Sequence, residues 1–159
     1  MTTQELLAEQ IERMGQSLAH FIETTSPEQR TWKPQLAGSA PTRSVLEQAG
    51  ECVAVNRNFA ALLRGEQVQV PAGGVVGKEL GDLEEARTEL IESSRELATA
   101  IRALDEEALD RRYAHWRGPV PGKSLIMGAF RNMAYHAGQI NLIQILSGDA
   151  AFHVPPTWY

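Results

Sequence analysis

The residue best placed for chemistry is His136, which lies in the helix-like stretch 132–140. Residues three and four apart share one face of a helix, so His136 lies beside Asn132 on a face that also carries the apolar Met133 and Ile140. Two polar side chains therefore point where leucine or isoleucine normally lies. Burying such a group without a partner costs about 1 to 3 kcal/mol. The pair consequently requires hydrogen-bond partners, a metal ion or a water-filled cavity.

Four stretches have the helical spacing of apolar residues that is needed to position these groups. They cover about 3–25, 42–64, 82–104 and 123–147. In the third stretch a leucine recurs every seven residues, at Leu83, Leu90, Leu97 and Leu104. This repeat is typical of helical bundles, and helices of about 22 residues would each span about 33 Å. The sequence predicts an all-α fold, a four-helix bundle forming a single domain over residues 1–159, and no reliable strand.

Residues that start and stop helices lie at the ends of these stretches. Thr42 or Ser44 can cap the second helix, and Ser44 with Glu47 three residues later matches a capping box. Gly65 is expected to end that helix in the left-handed conformation, and Gly148 marks the end of the last helix. The connections, roughly 26–41, 66–81 and 105–122, are longer than the 2 to 8 residues usual in tight bundles. Such connections can return along the whole bundle, which leaves helix order and direction open. Long loops also commonly form the mouth of a site, and we expect the aromatic tail, 152–159, to fold back onto the bundle.

Composition excludes several classes of function. The net charge is −5 and no basic stripe is present, so we expect no nucleic-acid partner. The single cysteine, Cys52, excludes an intrachain disulfide and a cysteine-rich zinc site, and we interpret it as a buried, inert thiol. No run reaches the ~20 apolar residues of a membrane span, and the first residues do not resemble a signal peptide. We therefore predict a cytoplasmic protein without a membrane partner.

The chain resembles the DinB/YfiT-like family of four-helix bundles over nearly its whole length. Three motifs carry the resemblance: Trp32-Lys33-Pro34 after the first helix, Ser44-Val45-Leu46-Glu47-Gln48-Ala49-Gly50-Glu51, and Asn132 to Ile140. The last is similar to the family's His-x-x-x-His-x-Gly-Gln. In that family one histidine from the second helix and two from the last helix typically bind a divalent metal. Glu51, Asn132 and His136 occupy the corresponding positions, so one of the three histidines is retained.

The resemblance implies a degenerate metal site with Glu51 and His136 as ligands. Asn132 would be a weak ligand or an orienting amide, and Gln139 would hydrogen-bond to the ligands. Such a set would hold one divalent ion: manganese, iron, nickel or zinc. The resemblance further implies a metal-dependent hydrolase or a transferase of low-molecular-weight thiols, with a small-molecule substrate. It also implies a homodimer.

A metal-free interpretation places the protein in a different functional class. A lone histidine on an apolar helix face is more often a satisfied core group than a ligand, and Glu51 could accept its proton, which would keep the imidazole charged. Glu51, Asn132 and His136 would then form a buried polar network in a bundle that binds a small molecule or a protein partner.

The other histidines and some apolar residues carry lesser predictions. We expect His20 at a core boundary and His153 in surface packing of the tail. His115, beside Trp116 in the loop before the last helix, could reach over the site mouth, but its spacing does not indicate that it does. The second helix has more apolar positions than one buried stripe uses. These predict a second contact face, for a dimer, at Cys52, Val53, Phe59 and Leu62.

Overall fold

Four long helices dominate the computed structural model, which describes residues 1–35, 38 and 41–159. They are α1 (Thr3–Glu23), α3 (Val45–Leu63), α4 (Leu83–Arg102) and α5 (Gly122–Leu146), with a one-turn helix α2 (Pro27–Arg30) after α1. Part of the predicted connection 26–41 lies outside the described residues. The all-α fold and all four predicted helices are confirmed. The expectation of no strand is wrong at one place, where β1 (Arg112–Tyr113) pairs antiparallel with β2 (Val120–Pro121).

Each long helix packs against two neighbours, which gives the order α1, α4, α3, α5 around the bundle. α1 and α4 are antiparallel, because Arg102 at the end of α4 bonds to Glu5 at the start of α1 at 3.1 Å. α1 and α5 are parallel, because Gln144 near the end of α5 donates to the Phe21 carbonyl and the Thr25 hydroxyl, at 3.1 and 3.2 Å. Gln144 thereby satisfies one of the last four carbonyls of α1, which lack partners within their own helix.

The neighbouring helices α3 and α4 run parallel. Two ion pairs with the same sequence offset join them, Arg57 with Glu89 and Arg64 with Glu96. The connection between parallel helices must return along the bundle, and it does so against α3. Asn58 donates to the Gln69 carbonyl at 3.2 Å, and the Leu80 amide donates to the Leu46 carbonyl at 3.4 Å. The sequence left the helix directions open. In the structure α1 and α5 run in one direction, and α3 and α4 run in the opposite direction.

The returning segment touches α3 most closely at Gly50 and Gly77. A Cβ atom on Gly77 would overlap the Gly50 carbonyl, and one on Gly50 would overlap the carbonyl of Lys78. Only glycine at both positions lets the two backbones meet in this way. The segment is therefore held against α3 directly before Glu51.

The helix ends and the tail follow the predictions. Ser44 and Glu47 form both bonds of the capping box, at 3.1 and 2.8 Å. Gly65 and Gly148 have φ angles of 78° and 93°, in the left-handed region. The tail folds back onto α1, where the Thr157 hydroxyl lies 2.7 Å from that of Ser17.

The predicted second contact face on α3 is wrong. Its four side chains are at most 8% exposed within the single chain: Cys52, Val53, Phe59 and Leu62. Parts of the same chain cover two of these residues: Asn132 of α5 bonds to Cys52, and His115 of the connection before α5 packs against Phe59 with ring centroids 6.4 Å apart. Exposed apolar side chains lie instead on α5, at Tyr135, Leu142, Ile145 and Leu146.

No helix in the described part of the chain has both the length and the apolar character needed to cross a bilayer.

Candidate functional site

His136 lies on the inner face of α5, 3% exposed, and faces α3. Its Nδ1 atom is 3.1 Å from Oε1 of Gln48, and its Nε2 atom is 3.3 Å from Oε1 of Glu51. Gln48 and Glu51 are three residues apart in α3, so the same helical face presents both side chains to the imidazole. The structure thus brings together Glu51 and His136, the two stronger ligands that the family resemblance implies.

Gln48 determines which nitrogen of His136 carries the proton. Its Nε2 donates to the carbonyl of Arg43 at 3.3 Å, which directs its Oε1 toward the imidazole. An amide oxygen only accepts, so Nδ1 must be the protonated nitrogen and Nε2 of a neutral ring carries the lone pair. That lone pair faces the Glu51 carboxylate, which is also an acceptor. Two facing acceptors are unfavourable unless a proton or a cation lies between them.

A second proton on the ring is opposed by its surroundings. Burial lowers the pKa of His136 to about 4, the side chain of Gln139 one turn away raises it, and the charge of Arg43 lowers it. Arg43 also forms an ion pair with Oε2 of Glu51, which neutralises the carboxylate that could have held the proton. The expectation that pairing with Glu51 keeps the imidazole charged is therefore wrong. Gln139 acts on the pKa, but the nearest partners of the ring nitrogens are Gln48 and Glu51.

Asn132 lies one turn before His136 and lines the same cavity as Glu51. Its Nδ2 is 3.6 Å from the sulfur of Cys52, so its Oδ1, which accepts no hydrogen bond from the described residues, remains for a ligand. Cys52 is fully buried, as predicted, and burial strongly raises the pKa of its thiol, which is therefore neutral beside Asn132. Within residues 1–35, 38 and 41–159, no three His, Cys, Asp or Glu side chains are grouped closely enough to hold a metal. A metal here would therefore have two strong ligands and one amide.

A cavity of about 270 Å³ lies beside Glu51 and Asn132. Phe59, His115 and Trp116 form its aromatic wall, and the Arg117 guanidinium lies 4.5 Å above the Trp116 ring. Val55, Val70, Val75 and the glycines at 73 and 74 also line it. His115 and Trp116 thus line the cavity beside Glu51, a position that the sequence left open for His115. The volume is slightly below the ~300 to 1,000 Å³ usual for drug-sized ligands, which fits a compact small molecule.

The remaining histidines lie elsewhere. His20 packs edge-on against Phe21 with ring centroids 6.5 Å apart, and His153 of the tail pairs with Asp149 at 2.7 Å. Sequence reasoning missed Gln48 and Arg43, which act on the site directly. Gln48 had a usable signal, because it is a polar residue three positions before Glu51 and therefore shares a helical face with it.

Comparisons with known proteins give one family model that matches the chain and several solved structures of similar fold. The family model of the DinB superfamily matches residues 10–140. A DinB-like protein from Bacillus subtilis is similar in structure, with a TM-score of 0.65 and 16% identity over 94% of this chain and 98% of that one. A conserved protein from Enterococcus faecalis gives 0.70 and 14% over 93% and 99%, and a DinB-like protein from Bacillus cereus gives 0.59 and 12% over 85% and 86%. At these identities the structural likeness shows the fold alone. No curated protein matches the chain.

Proposed function

Because the chain belongs to the DinB superfamily, we propose that it is a metal-dependent enzyme, a hydrolase or a transferase of low-molecular-weight thiols. One divalent ion would be bound by Glu51 and His136. The observation that carries the proposal is the lone pair of Nε2 facing Oε1 of Glu51 at 3.3 Å. Two ligands that share one ion at about 2.1 Å in tetrahedral geometry lie about 3.4 Å apart. The two atoms therefore have the separation that a shared ion requires.

The surroundings of His136 also suit a metal ligand. Metal-bound histidines usually donate the hydrogen of their other nitrogen to a carbonyl or carboxylate oxygen, which fixes the ring. Gln48 provides that acceptor, and the Arg43 carbonyl orients Gln48 in turn. Asn132 supplies an amide oxygen as a weaker third ligand. A set of one carboxylate, one imidazole and one amide suits manganese or iron in particular.

The bound ion would supply a lowered pKa for a coordinated water or thiol, which makes either a nucleophile near neutral pH. The chain's own residues hold and shield the reactants. Phe59 and Trp116 offer aromatic surface to the apolar part of a compact substrate, while Glu51 and Asn132 lie at the polar side of the same cavity. The neutral imidazole keeps its lone pair available throughout the physiological pH range.

A metal-free binding protein is the second candidate, and the ion pair between Arg43 and Glu51 favours it. Arg43 already satisfies the charge of Glu51, and Asn132 already bonds to Cys52. In this alternative the polar side chains hold α3 and α5 together, and the cavity binds a small molecule without chemistry. The two candidates differ in what His136 contributes to stability.

Elemental analysis of untagged protein, purified without chelator, tests the proposal. We expect one manganese, iron, nickel or zinc per chain, lost in His136→Ala and reduced in Gln48→Leu. His20→Ala is the matched control, because His20 lies away from the cavity, and it should retain the metal. Thermal unfolding adds a second readout, since a ligand that binds only the folded state stabilises it by mass action. A protein that stays metal-free after soaking, and whose His136→Ala variant loses equal stability with and without manganese, would support the binding protein instead.

A further inference from the structure

The guanidinium of Arg43 forms an ion pair with Glu51, the carboxylate that the proposed function assigns as a metal ligand. We infer that Arg43 neutralises Glu51 in the metal-free protein and thereby lowers the affinity of the site for a metal ion. This inference rests on the proposed function and adds a determinant of metal loading to it. Arg43 directly precedes Ser44, the N-cap residue of α3, and its side chain reaches Glu51 in the second turn of that helix.

The argument begins from the charges of the three donors. Glu51 carries the only formal negative charge among them, because Asn132 is an uncharged amide and His136 presents a lone pair. The three donors together carry a charge of about −1, and Arg43 cancels it, so the net charge around a divalent ion is about zero and the neighbouring guanidinium repels the ion. Coulomb repulsion across a few ångströms in a partly buried site is substantial. The ion must therefore bind against Arg43 or displace it.

Displacement is feasible because the side chain of Arg43 is half-exposed. It is 48% exposed, against 17% for Glu51, so the guanidinium can move into water while the carboxylate stays in place. Ion pairs of this exposure contribute little to stability. The neighbouring carboxylate Glu47 cannot replace Glu51 as ligand, since it is paired with Lys33 at 2.5 Å and bonded to the amide of Ser44.

The two roles of Arg43 can be separated experimentally. Its backbone carbonyl accepts the hydrogen bond from Gln48 that orients His136, whereas its side chain neutralises Glu51. Arg43→Gln removes the side-chain charge and leaves the backbone carbonyl in place. A change in metal affinity can then be attributed to the guanidinium rather than to the orientation of the imidazole.

Manganese titration, followed by the electron paramagnetic resonance of the free ion, tests the inference in the full-length protein. We expect Arg43→Gln to bind manganese about tenfold more tightly than the wild type, and Arg43→Lys, which keeps the charge, to remain within about threefold. Arg57→Gln is the matched control, because Arg57 is also a half-exposed arginine, paired with Glu89 of α4. Its manganese affinity should equal that of the wild type.

Each outcome bears on a different statement. Manganese binding to Arg43→Gln in the absence of binding to the wild type would give the strongest support. Equal or weaker binding by Arg43→Gln, with normal binding by the wild type, would overturn the inference and leave the proposed metal site standing. If no variant binds manganese, zinc or iron, the proposed function fails and the inference fails with it. Thermal unfolding in chelator establishes that each variant is folded.

Discussion

Acidification of the metal-free protein should weaken the fold through His136. The side chain is buried with a pKa of about 4 in the folded protein, against an ordinary value of 6.5. Because the folded-state pKa is the lower one, the unfolded chain takes up the proton first as the pH falls. The contribution of the neutral imidazole to the free energy of unfolding is complete above pH 6.5 and is lost progressively as the pH falls toward 4.

The difference between the two pKa values of His136 corresponds to about 3 kcal/mol of unfolding free energy. About 2 kcal/mol of this should be lost between pH 7.5 and pH 5. Carboxylates that titrate in the same range would obscure the effect in the wild type alone. His136→Gln removes the titrating group and keeps a polar side chain, so the difference between the two proteins isolates His136.

Urea unfolding in the presence of chelator, followed by circular dichroism at pH 7.5, 6.5, 5.5 and 5, measures this difference. The wild type should lose about 2 kcal/mol more than His136→Gln across the series. Parallel losses would refute the reasoning, because they would mean that His136 titrates alike in the folded and unfolded chains. A larger loss in the variant would show that the ring is charged in the folded protein and held by Glu51.

Two further predictions concern parts of the fold that position the site. Gly77→Ala should lower the unfolding free energy by about 2 to 3 kcal/mol in urea, because its methyl group would meet backbone that no rotamer change can relieve. Gly138→Ala is the control: it has open space in the interior of α5 and should gain up to about 1 kcal/mol from helix propensity, so equal effects at the two positions would contradict the close backbone contact. The thiol of Cys52 is fully buried with a raised pKa, so Ellman's reagent should modify it only as fast as the protein opens and rapidly in urea. Rapid modification of the native protein would show that this side of α3 is open.

The helices could be predicted from sequence because their signals are local. The repeat through Leu90 and Leu97 and the capping box at Ser44 depend only on residues a few positions apart. The parallel arrangement of α3 and α4 could not be predicted, since a connection of that length can serve either direction. Contacts far apart in sequence, such as that of Gly50 with Gly77, determine the path.

The site was predictable to a similar degree. Spacing alone identified Asn132 and His136 as polar residues on an apolar face, and the family resemblance supplied Glu51. Arg43 gave no signal, because it precedes the helix and its contact with Glu51 depends on the path of the chain before Ser44. The contact face expected on α3 failed for a related reason: apolar periodicity shows that a face is covered, but it does not distinguish a partner chain from a segment of the same chain.

The position of α5 in the bundle has a consequence for how the chain folds during translation. α5 packs against both α1 and α3, and its Gln144 closes the end of α1, yet it is the last of the four helices to be synthesised. Until it emerges from the ribosome, the apolar faces of the other three helices lack one wall, and the carboxylate of Glu51 faces no imidazole. Incomplete chains of this kind are prone to aggregation. Chaperone binding to the nascent chain should therefore be greatest after α4 has emerged and should fall once α5 docks.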